Sequence, residues 1–219
     1  MILIEHPEVY GFEAAIRGMR NPMNSHDKSD SYWTHIEDPE TEQTAKFQFF
    51  VGENDLALMK KLAHAGNDHG KFLRMITVTM DITAPLYWWK EYDTYKVGTV
   101  ANSTSTMHKI HSKEFTLDDF SHERLSDIAT ACLEDTIAQL NYSRNEFNST
   151  GRIEAWDDMI QLLPSSYNQK RTVQLNYQVL KTMYHARKNH KLDEWRKFCE
   201  WSESLPYFKE ICIDPIEDK

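Results

Sequence analysis

Residues 76–82 alternate strictly between apolar and polar side chains. The apolar set is Ile76, Val78, Met80 and Ile82, and the polar set is Thr77, Thr79 and Asp81. Because successive side chains of a strand point to opposite faces, this pattern predicts a half-buried β-strand, which we place over 72–82. The chain must therefore build a sheet with one covered face.

Helical periodicity flanks this strand on both sides. Residues 55–65 place apolar side chains on one helical face and end at Gly66, which suits a left-handed cap. Pro85 opens an aromatic helix over 86–96, and a capping box at Thr116 introduces the longest predicted helix. Three more helices are predicted in a strongly helical C-terminal third: 153–163, 173–186 and 192–201. The predicted fold class is α+β.

Residues 21–48 are the most irregular part of the sequence. Turn-forming pairs such as Asn21-Pro22 and Asn24-Ser25 lie there without helical or strand periodicity. We predict a long loop over this range, of the kind that often borders an active site.

Composition limits the domain count and the classes of partner. With 219 residues, of which 40% are hydrophobic, the chain is long enough to bury a core, and we predict a single domain over 1–219. The net charge of −9 comes from scattered acidic residues, which argues against a nucleic-acid partner. No stretch reaches the roughly 20 apolar residues of a membrane span, so we expect a cytoplasmic protein without a membrane contact.

Cysteine and histidine spacing predicts neither a disulfide framework nor a metal site. Cys132, Cys199 and Cys212 are far apart and odd in number, and we expect buried free thiols. The ten histidines lack the pairing across one helical turn, with an intervening glutamate, that zinc-binding helices show. We therefore expect no metal.

The segment 62–108 resembles, element by element, the flavin-dependent thymidylate synthases. It contains a helix ending at Gly66, then His69, an alternating strand, an aromatic helix after Pro85, and a polar run that begins at Asn102 and ends at His108. In the family a helix ending in Gly-His leads to a strand, a helix and the motif R-H-R-x-x-S-x-N-E-x-S-x-R-Y.

A second match lies near the C-terminus and is independent of the first. The family commonly has Leu-Pro, then an asparagine in a helix, then an arginine eleven residues later. This chain has Leu163-Pro164, Asn176 and Arg187, and the spacing agrees without gaps. The segment 14–17, with Ser25 after it, resembles the family's opening helix and loop more weakly.

The resemblance implies a central antiparallel sheet packed with helices, and a homotetramer in which several subunits build each site. It also implies methylation of dUMP, with a methylene group from methylenetetrahydrofolate and a hydride that FAD carries from NADPH. Matched positions imply FAD contacts at Tyr95, Lys96, Asn102 and Asn176. They imply substrate contacts at Glu91, Ser105 and Arg187.

The chain departs from the family at its arginines. Glu91 stands where the family usually has glutamine, the run 94–96 reads Thr-Tyr-Lys in place of Arg-His-Arg, and Met107 replaces the arginine that holds the nucleotide phosphate. A guanidinium matches phosphate geometry in a way that Thr, Tyr or Met cannot. Two functions remain open: a divergent enzyme acting on a pyrimidine nucleotide, and a catalytically inactive protein that binds a nucleotide or forms an oligomeric interaction surface.

Other residues in this region also allow two interpretations. The hydroxyl-rich segment 99–106 could receive a phosphate or sugar, or could be a polar loop chosen for its turns. The aromatic run 87–95 could stack on a ring or be buried; we interpret Trp88 and Trp89 as core or interface residues and leave Tyr92 and Tyr95 open. Glu91 and Asp93 could perform acid–base work or lie on a solvated helix face.

Overall fold

The computed structural model describes residues 1–36 and 46–216 of the chain. Within these ranges the strands are β1 Leu3–Tyr10, β2 Tyr32–Ile36, β3 Lys46–Phe50, β4 Thr77–Pro85, β5 Val100–Ser103 and β6 Asn168–Asn176. The α-helices are α1 Phe12–Arg20, α2 Glu53–His64, α3 Leu86–Tyr92, α4 Asp127–Thr150, α5 Ile153–Leu162, α6 Tyr177–Arg187, α7 Asp193–Glu203 and α8 Phe208–Cys212. The α+β class is confirmed.

Four strands form an antiparallel sheet in the order β1-β4-β6-β5. Strand β4 has the predicted alternation, because its residues at 78, 80, 82 and 84 are buried and the residues between them are only half-buried. It begins at Thr77 rather than at 72, since Gly70–Met75 form a 3-10 helix. The predicted half-buried strand is thus confirmed with a shifted start.

The described chain divides into two compact units. The first unit comprises 1–7, 80–173 and 192–194, and the second comprises 8–79, 174–191 and 195–219 where these are described. In the first unit, helices α4 and α5 pack together around Leu133, Ile137, Leu140 and Met159. The single domain expected over 1–219 stays a prediction.

A buried ion pair lies inside the second unit. Arg20 of α1 donates from Nε to Oδ1 of Asp55 on α2 at 2.6 Å, and both side chains are almost fully buried. The other carboxylate oxygen accepts from the hydroxyls of Ser29 and Ser31, each at 2.7 Å. Burial alone would raise the pKa of Asp55, but the hydrogen bonds from Ser29, Ser31 and Arg20 outweigh it and hold this pKa below its ordinary value.

The prediction of an irregular loop over 21–48 is wrong at residues 32–36 and 46–48, which lie in strands β2 and β3. Strands β2 and β3 pair antiparallel, with Tyr32 opposite Phe50 and Trp33 opposite Phe49. These aromatic residues favour strands because cross-strand ring contacts stabilise the pair. Residues 37–45 of the predicted loop lie outside the described residues.

Two predicted helix starts are also wrong. The capping box at Thr116 belongs to a 3-10 turn, Leu117–Asp119, and α4 begins ten residues later with Ser126 as its N-cap. The helix predicted from 173 begins at Tyr177, because the residues before it belong to strand β6. Helices α2 and α5 agree with prediction, and α4 is the longest of the described helices.

Cys199 and Cys212 are buried free thiols as predicted, whereas Cys132 is exposed on α4 and corrects the expectation for that residue. Among the described residues, no group of three His, Cys, Asp or Glu side chains is arranged to hold a metal ion. None of the described helices has both the length and the apolar character of a membrane span.

Candidate functional site

A cavity of about 460 Å³ lies in the first unit, where the sheet meets the segment that follows β5. Strands β4 and β6 contribute Thr83, Asn168 and Lys170 to its lining. All three lie at half-buried positions that alternate with buried ones along their strands, so they share the less covered face of the sheet.

One backbone and one side-chain hydrogen bond tie the start of this segment to strand β6. The N–H of Thr104 donates to the carbonyl of Lys170 at 2.9 Å, and Nε2 of Gln169 donates to the carbonyl of Thr104 at 2.7 Å. Ser105 follows directly and lines the cavity. Its hydroxyl oxygen accepts from the N–H groups of Met107 at 3.1 Å and His108 at 2.9 Å, so its proton stays available to donate.

Helices α4 and α5 hold the rest of the segment in place. Nε1 of Trp156 donates to the carbonyl of Met107 at 3.1 Å. The amide of Asn141 accepts from the N–H of Phe115 at 2.9 Å and donates to its carbonyl at 2.8 Å. Residues between 104 and 115 are therefore fixed by side chains that do not line the cavity.

The floor of the cavity is apolar. Ile110, Phe115 and Tyr167 line it, and all three pack into the hydrophobic cluster around α4 and α5. The rings of Phe115 and Tyr167 lie 6.4 Å apart at 71°. A flat apolar group could rest on this floor with its polar edge toward the rim.

Three lysines, Lys109, Lys113 and Lys170, and two carboxylates, Glu114 and Asp119, line the cavity around this floor. Lys113 pairs with Asp119 at 2.8 Å, and Lys170 pairs with Asp81 at 3.1 Å and with Glu5 at 3.2 Å. The hydrogen bonds that Lys170 donates to Asp81 and Glu5 raise its pKa, and the hydrogen bond that Lys113 donates to Asp119 raises the pKa of Lys113. Both lysines therefore stay charged at neutral pH.

Lys109 differs from these two lysines. It is exposed at the cavity, and across residues 1–36 and 46–216 the structure shows no carboxylate in ion-pair distance of its ammonium group. Its charge is the one most available to an anion that enters the cavity.

Four other predicted site residues of the first unit do not line this cavity. Glu91 lies on α3, Tyr95 ends a 3-10 turn whose next residue is the exposed Lys96, and Asn102 lies on the exposed strand β5. The hydroxyl of Thr94 donates to the carbonyl of Glu91 at 2.7 Å, as turn chemistry requires. Of the predicted residues in this region, the cavity includes Ser105.

Asn176 and Arg187 lie in the second unit at the two ends of helix α6. Asn176 does not lie on a helical face; it is the N-cap, and its Oδ1 accepts from the N–H of Val179 at 3.0 Å. The guanidinium of Arg187 lies 5.0 Å over the ring of Trp195. Their roles toward a ligand stay predictions.

The aromatic helix is part of the core. Trp88, Trp89 and Tyr92 are at most 1% exposed. The interpretation of both tryptophans as core residues is confirmed, and Tyr92, which was left open, is also a core residue. Burial raises the pKa of the Tyr92 hydroxyl. Arg171 lies 4.2 Å over the Trp89 ring and pairs with Asp93, so Asp93 has a structural partner.

A second cavity of about 660 Å³ lies within the second unit. Its lining is mainly apolar and includes Met19, Leu62 and Phe72. Ser25 and His69, the weaker matches of the sequence resemblance, both line it.

Sequence reasoning missed Asn168, Lys170 and Lys113. The first two lie on strand β6, where Val173 and Leu175 alternate with polar residues, so a period-two signal was present. It was hidden because the apolar residues continue into the helical pattern of α6. No local pattern marks Lys113, which reaches the site only through the anchoring of its segment by α4.

The structure is similar over nearly its whole length to enzymes of known structure. Two crystal structures of thymidylate synthase X from Helicobacter pylori, both with FAD and dUMP, align over 97% of this chain and 97% of theirs, at 13% and 14% identity with TM-scores of 0.70 and 0.66. The UMP/dUMP methylase PolB from Streptomyces cacaoi, bound with 5-Br dUMP, aligns over 96% of this chain and 94% of its own at 12% identity and a TM-score of 0.58. No protein-family model and no curated protein sequence matches the chain. The chain therefore has the fold of the flavin-dependent thymidylate synthases, as the sequence resemblance predicts.

Proposed function

We propose that the chain binds a pyrimidine nucleoside monophosphate of the dUMP type in the cavity of the first unit. The observation that carries this proposal is an apolar floor, formed by Phe115 and Tyr167, beside a rim of hydroxyls and three lysines that also includes the carboxylates of Glu114 and Asp119. A volume of about 460 Å³ lies within the range of small-molecule sites. The structural neighbours bind dUMP or its bromo derivative, which supports the choice of ligand.

The phosphate of this ligand belongs at the rim near Ser105 and Lys109. The lysine supplies a charge that no carboxylate among the described residues neutralises, and the serine hydroxyl supplies a donor. Charge-assisted hydrogen bonds of this kind are the stronger contacts available to a phosphate. The pyrimidine ring then lies toward Phe115 and Tyr167.

Binding without thymidylate synthesis is the function that this side-chain set supports best. The sequence has no arginine between Arg74 and Arg124, a range that includes the whole motif region. The groups that would polarise a uracil ring and hold phosphates bidentately are therefore missing there. An enzyme that uses the same fold for a different pyrimidine substrate is the alternative.

FAD is a second candidate ligand, and one observation favours it. The cavity of the second unit is mainly apolar, which suits the dimethylbenzene part of a flavin ring, and Asp68, His69 and Lys71 supply polar groups in its lining. FAD would supply hydride-transfer chemistry if bound. The FAD contacts that the sequence resemblance implies, Tyr95, Lys96, Asn102 and Asn176, include one cation, Lys96.

The proposal includes self-association into a homotetramer. In this arrangement Arg187 of a neighbouring subunit would approach the segment 96–108 and add a guanidinium to the phosphate. Arg187 lies at the end of α6, half-buried, with its guanidinium 5.0 Å over the ring of Trp195. Methylenetetrahydrofolate and NADPH enter only if the alternative, an active enzyme, holds.

Calorimetric titration of dUMP tests the proposal. The parent protein should bind dUMP, and Lys109→Ala should weaken binding roughly tenfold, which corresponds to about 1.4 kcal/mol. Lys197→Ala is the matched control, because it removes an exposed lysine of the second unit with the same change in net charge. Equal weakening by both variants would show a general charge effect, and no binding by the parent would reject the proposal.

The chain should fail to support growth of a thymidylate-requiring strain without thymidine, because the motif region has no arginine. An absorbance spectrum of the purified protein accompanies this test. Flavin bands would support FAD as a second ligand, and a colourless protein would restrict the proposal to the nucleotide. Growth without thymidine would contradict our conclusion and favour the enzyme.

A further inference from the structure

Asn141 of α4 binds both backbone groups of Phe115 from outside the cavity. Its Oδ1 accepts a hydrogen bond from the N–H of Phe115 at 2.9 Å, and its Nδ2 donates to the carbonyl of Phe115 at 2.8 Å. Asn141 is half-buried and is not part of the cavity lining, whereas Phe115 is. One side chain thus makes the pair of hydrogen bonds that a neighbouring strand makes in an antiparallel sheet.

The backbone around Phe115 is extended, yet it lies in none of the described strands. Lys113 and Thr116, on either side of it, both have the φ and ψ angles of a strand. Backbone N–H and carbonyl groups that the fold covers need hydrogen-bond partners. Because residues 113–116 lie outside the sheets, the amide of Asn141 fixes where Phe115 lies.

The backbone that Asn141 holds forms one wall of the cavity. Residues 113–115 all line it, and Phe115 contributes its ring to the apolar floor on which we place the pyrimidine. The ring of Phe115 also packs into the hydrophobic cluster around α4 and α5. A shift of the Phe115 backbone would therefore move the surface that meets the base.

The phosphate end of the cavity is anchored separately. Nε1 of Trp156 donates to the carbonyl of Met107, and the N–H of Thr104 donates to strand β6. These two contacts hold the turn that presents Ser105 and Lys109 at the rim, and neither involves the asparagine of α4. The two ends of the site thus depend on different supporting side chains.

We propose that Asn141 is a positioning residue for the base: it holds Phe115 where the ring of the bound pyrimidine rests, and it does not act on the phosphate. This inference rests on the nucleotide binding proposed above. A contact group that is displaced binds its ligand less well even when the group itself is unchanged. Substitution of Asn141 should therefore weaken recognition of the base selectively.

The test compares dUMP with 1,2-dideoxyribose 5-phosphate, which has the same sugar and phosphate but no base. Both ligands are titrated by NMR chemical-shift perturbation against the parent, Asn141→Leu and Asn145→Leu, and thermal melting checks the fold of each variant. Asn141→Leu removes both hydrogen bonds with little change in side-chain volume. Asn145→Leu is the matched control, because it makes the same chemical change at an exposed position one turn further along α4.

The parent should bind dUMP at least roughly tenfold more tightly than the sugar phosphate. Asn141→Leu should weaken dUMP binding roughly fivefold and change binding of the sugar phosphate less than about twofold. Asn145→Leu should leave the ratio of the two affinities unchanged. Asn141→Asp serves if Asn141→Leu does not fold: it keeps the acceptor and loses the donor, and repulsion from its charge weakens both phosphates alike, so the ratio should still fall.

Three results would overturn the inference. A ratio in the folded Asn141 variant equal to that of the parent would show that Asn141 only stabilises the fold. A parent that binds both ligands equally would show that the floor makes no contact with the base. If the parent binds neither ligand, the proposed function itself fails, and that result is distinct from the other two.

Discussion

Replacing Asp55 with Ala should lower the free energy of unfolding by about 3–5 kcal/mol. The substitution leaves the guanidinium of Arg20 buried without its carboxylate, and removes the acceptor of the hydroxyls of Ser29 and Ser31. An uncompensated buried charge is among the few causes of so large an effect from one residue. Chemical denaturation followed by circular dichroism measures the difference.

Arg17→Ala provides the control for Asp55. It removes the ion pair of Arg17 with Glu13, which has a similar length of 2.6 Å but joins two side chains that are more than half exposed. Arg17→Ala should lower the free energy of unfolding by about 0.5 kcal/mol or less, because water already solvates both charged groups. A loss of similar size in Arg17→Ala and Asp55→Ala would show that burial of the pair contributes nothing.

Lowering the pH should reduce the difference in unfolding free energy between the parent and Asp55→Ala. The pKa of Asp55 in the folded chain lies below that of an unfolded carboxyl, about 3.9. The carboxylate's contribution is therefore present above about pH 4 and is lost as pH falls through the lowered folded pKa. The denaturation curves of the parent and of Asp55→Ala should therefore move closer together as the pH is lowered from about 5 to about 3. A separation between the two curves that does not change with pH would contradict the assignment.

Replacing Trp88 with Ala should cost about 3–5 kcal/mol of unfolding free energy. Trp88 is fully buried, with ring centroids 4.9 Å from Trp89 and 5.3 Å from Tyr92, so the deletion leaves a large cavity in the first unit. Thermal or denaturant unfolding gives the magnitude. Near-ultraviolet circular dichroism should also lose the signal of the coupled rings.

Trp33→Ala deletes the same side chain from an exposed position. Trp33 is 51% exposed on strand β2 and contacts Phe47 and Phe49 across the strand pair. We expect a loss of about 1 kcal/mol or less from this variant. If Trp33→Ala destabilised the chain as much as Trp88→Ala, the assignment of the aromatic helix to the core would be wrong.

Periodicity correctly predicted the elements in which the local sequence pattern and the packing of the folded chain favour the same structure. Helix α2 ends where Gly66 adopts a positive φ of 109°, and β4 buries every second residue. Strands β2 and β3 escaped prediction because their stability comes from contacts between rings distant in sequence. The start of α4 was misplaced because Thr116 makes a real capping box that serves only one turn.

The candidate site was predicted less completely than the fold. The resemblance led to Ser105, which does line the cavity, and to Asn176, whose side-chain oxygen caps a helix. Lys170 and Asn168 reach the cavity through pairing of β6 with its neighbours, which no spacing within one segment can reveal. Sequence reasoning therefore found one edge of the site and missed the sheet that supports it.

The separation between the groups that shape the cavity and those that meet its contents has an evolutionary consequence. Phe115 is held by Asn141 and by the hydrophobic cluster, whereas Ser105 and Lys109 are exposed at the rim. Substitutions at the exposed rim should therefore cost less folding free energy than substitutions of the buried floor, so the ligand chemistry can change more readily than the scaffold. The stretch without arginine between Arg74 and Arg124 includes this rim, and the scaffold holds its shape without a guanidinium there.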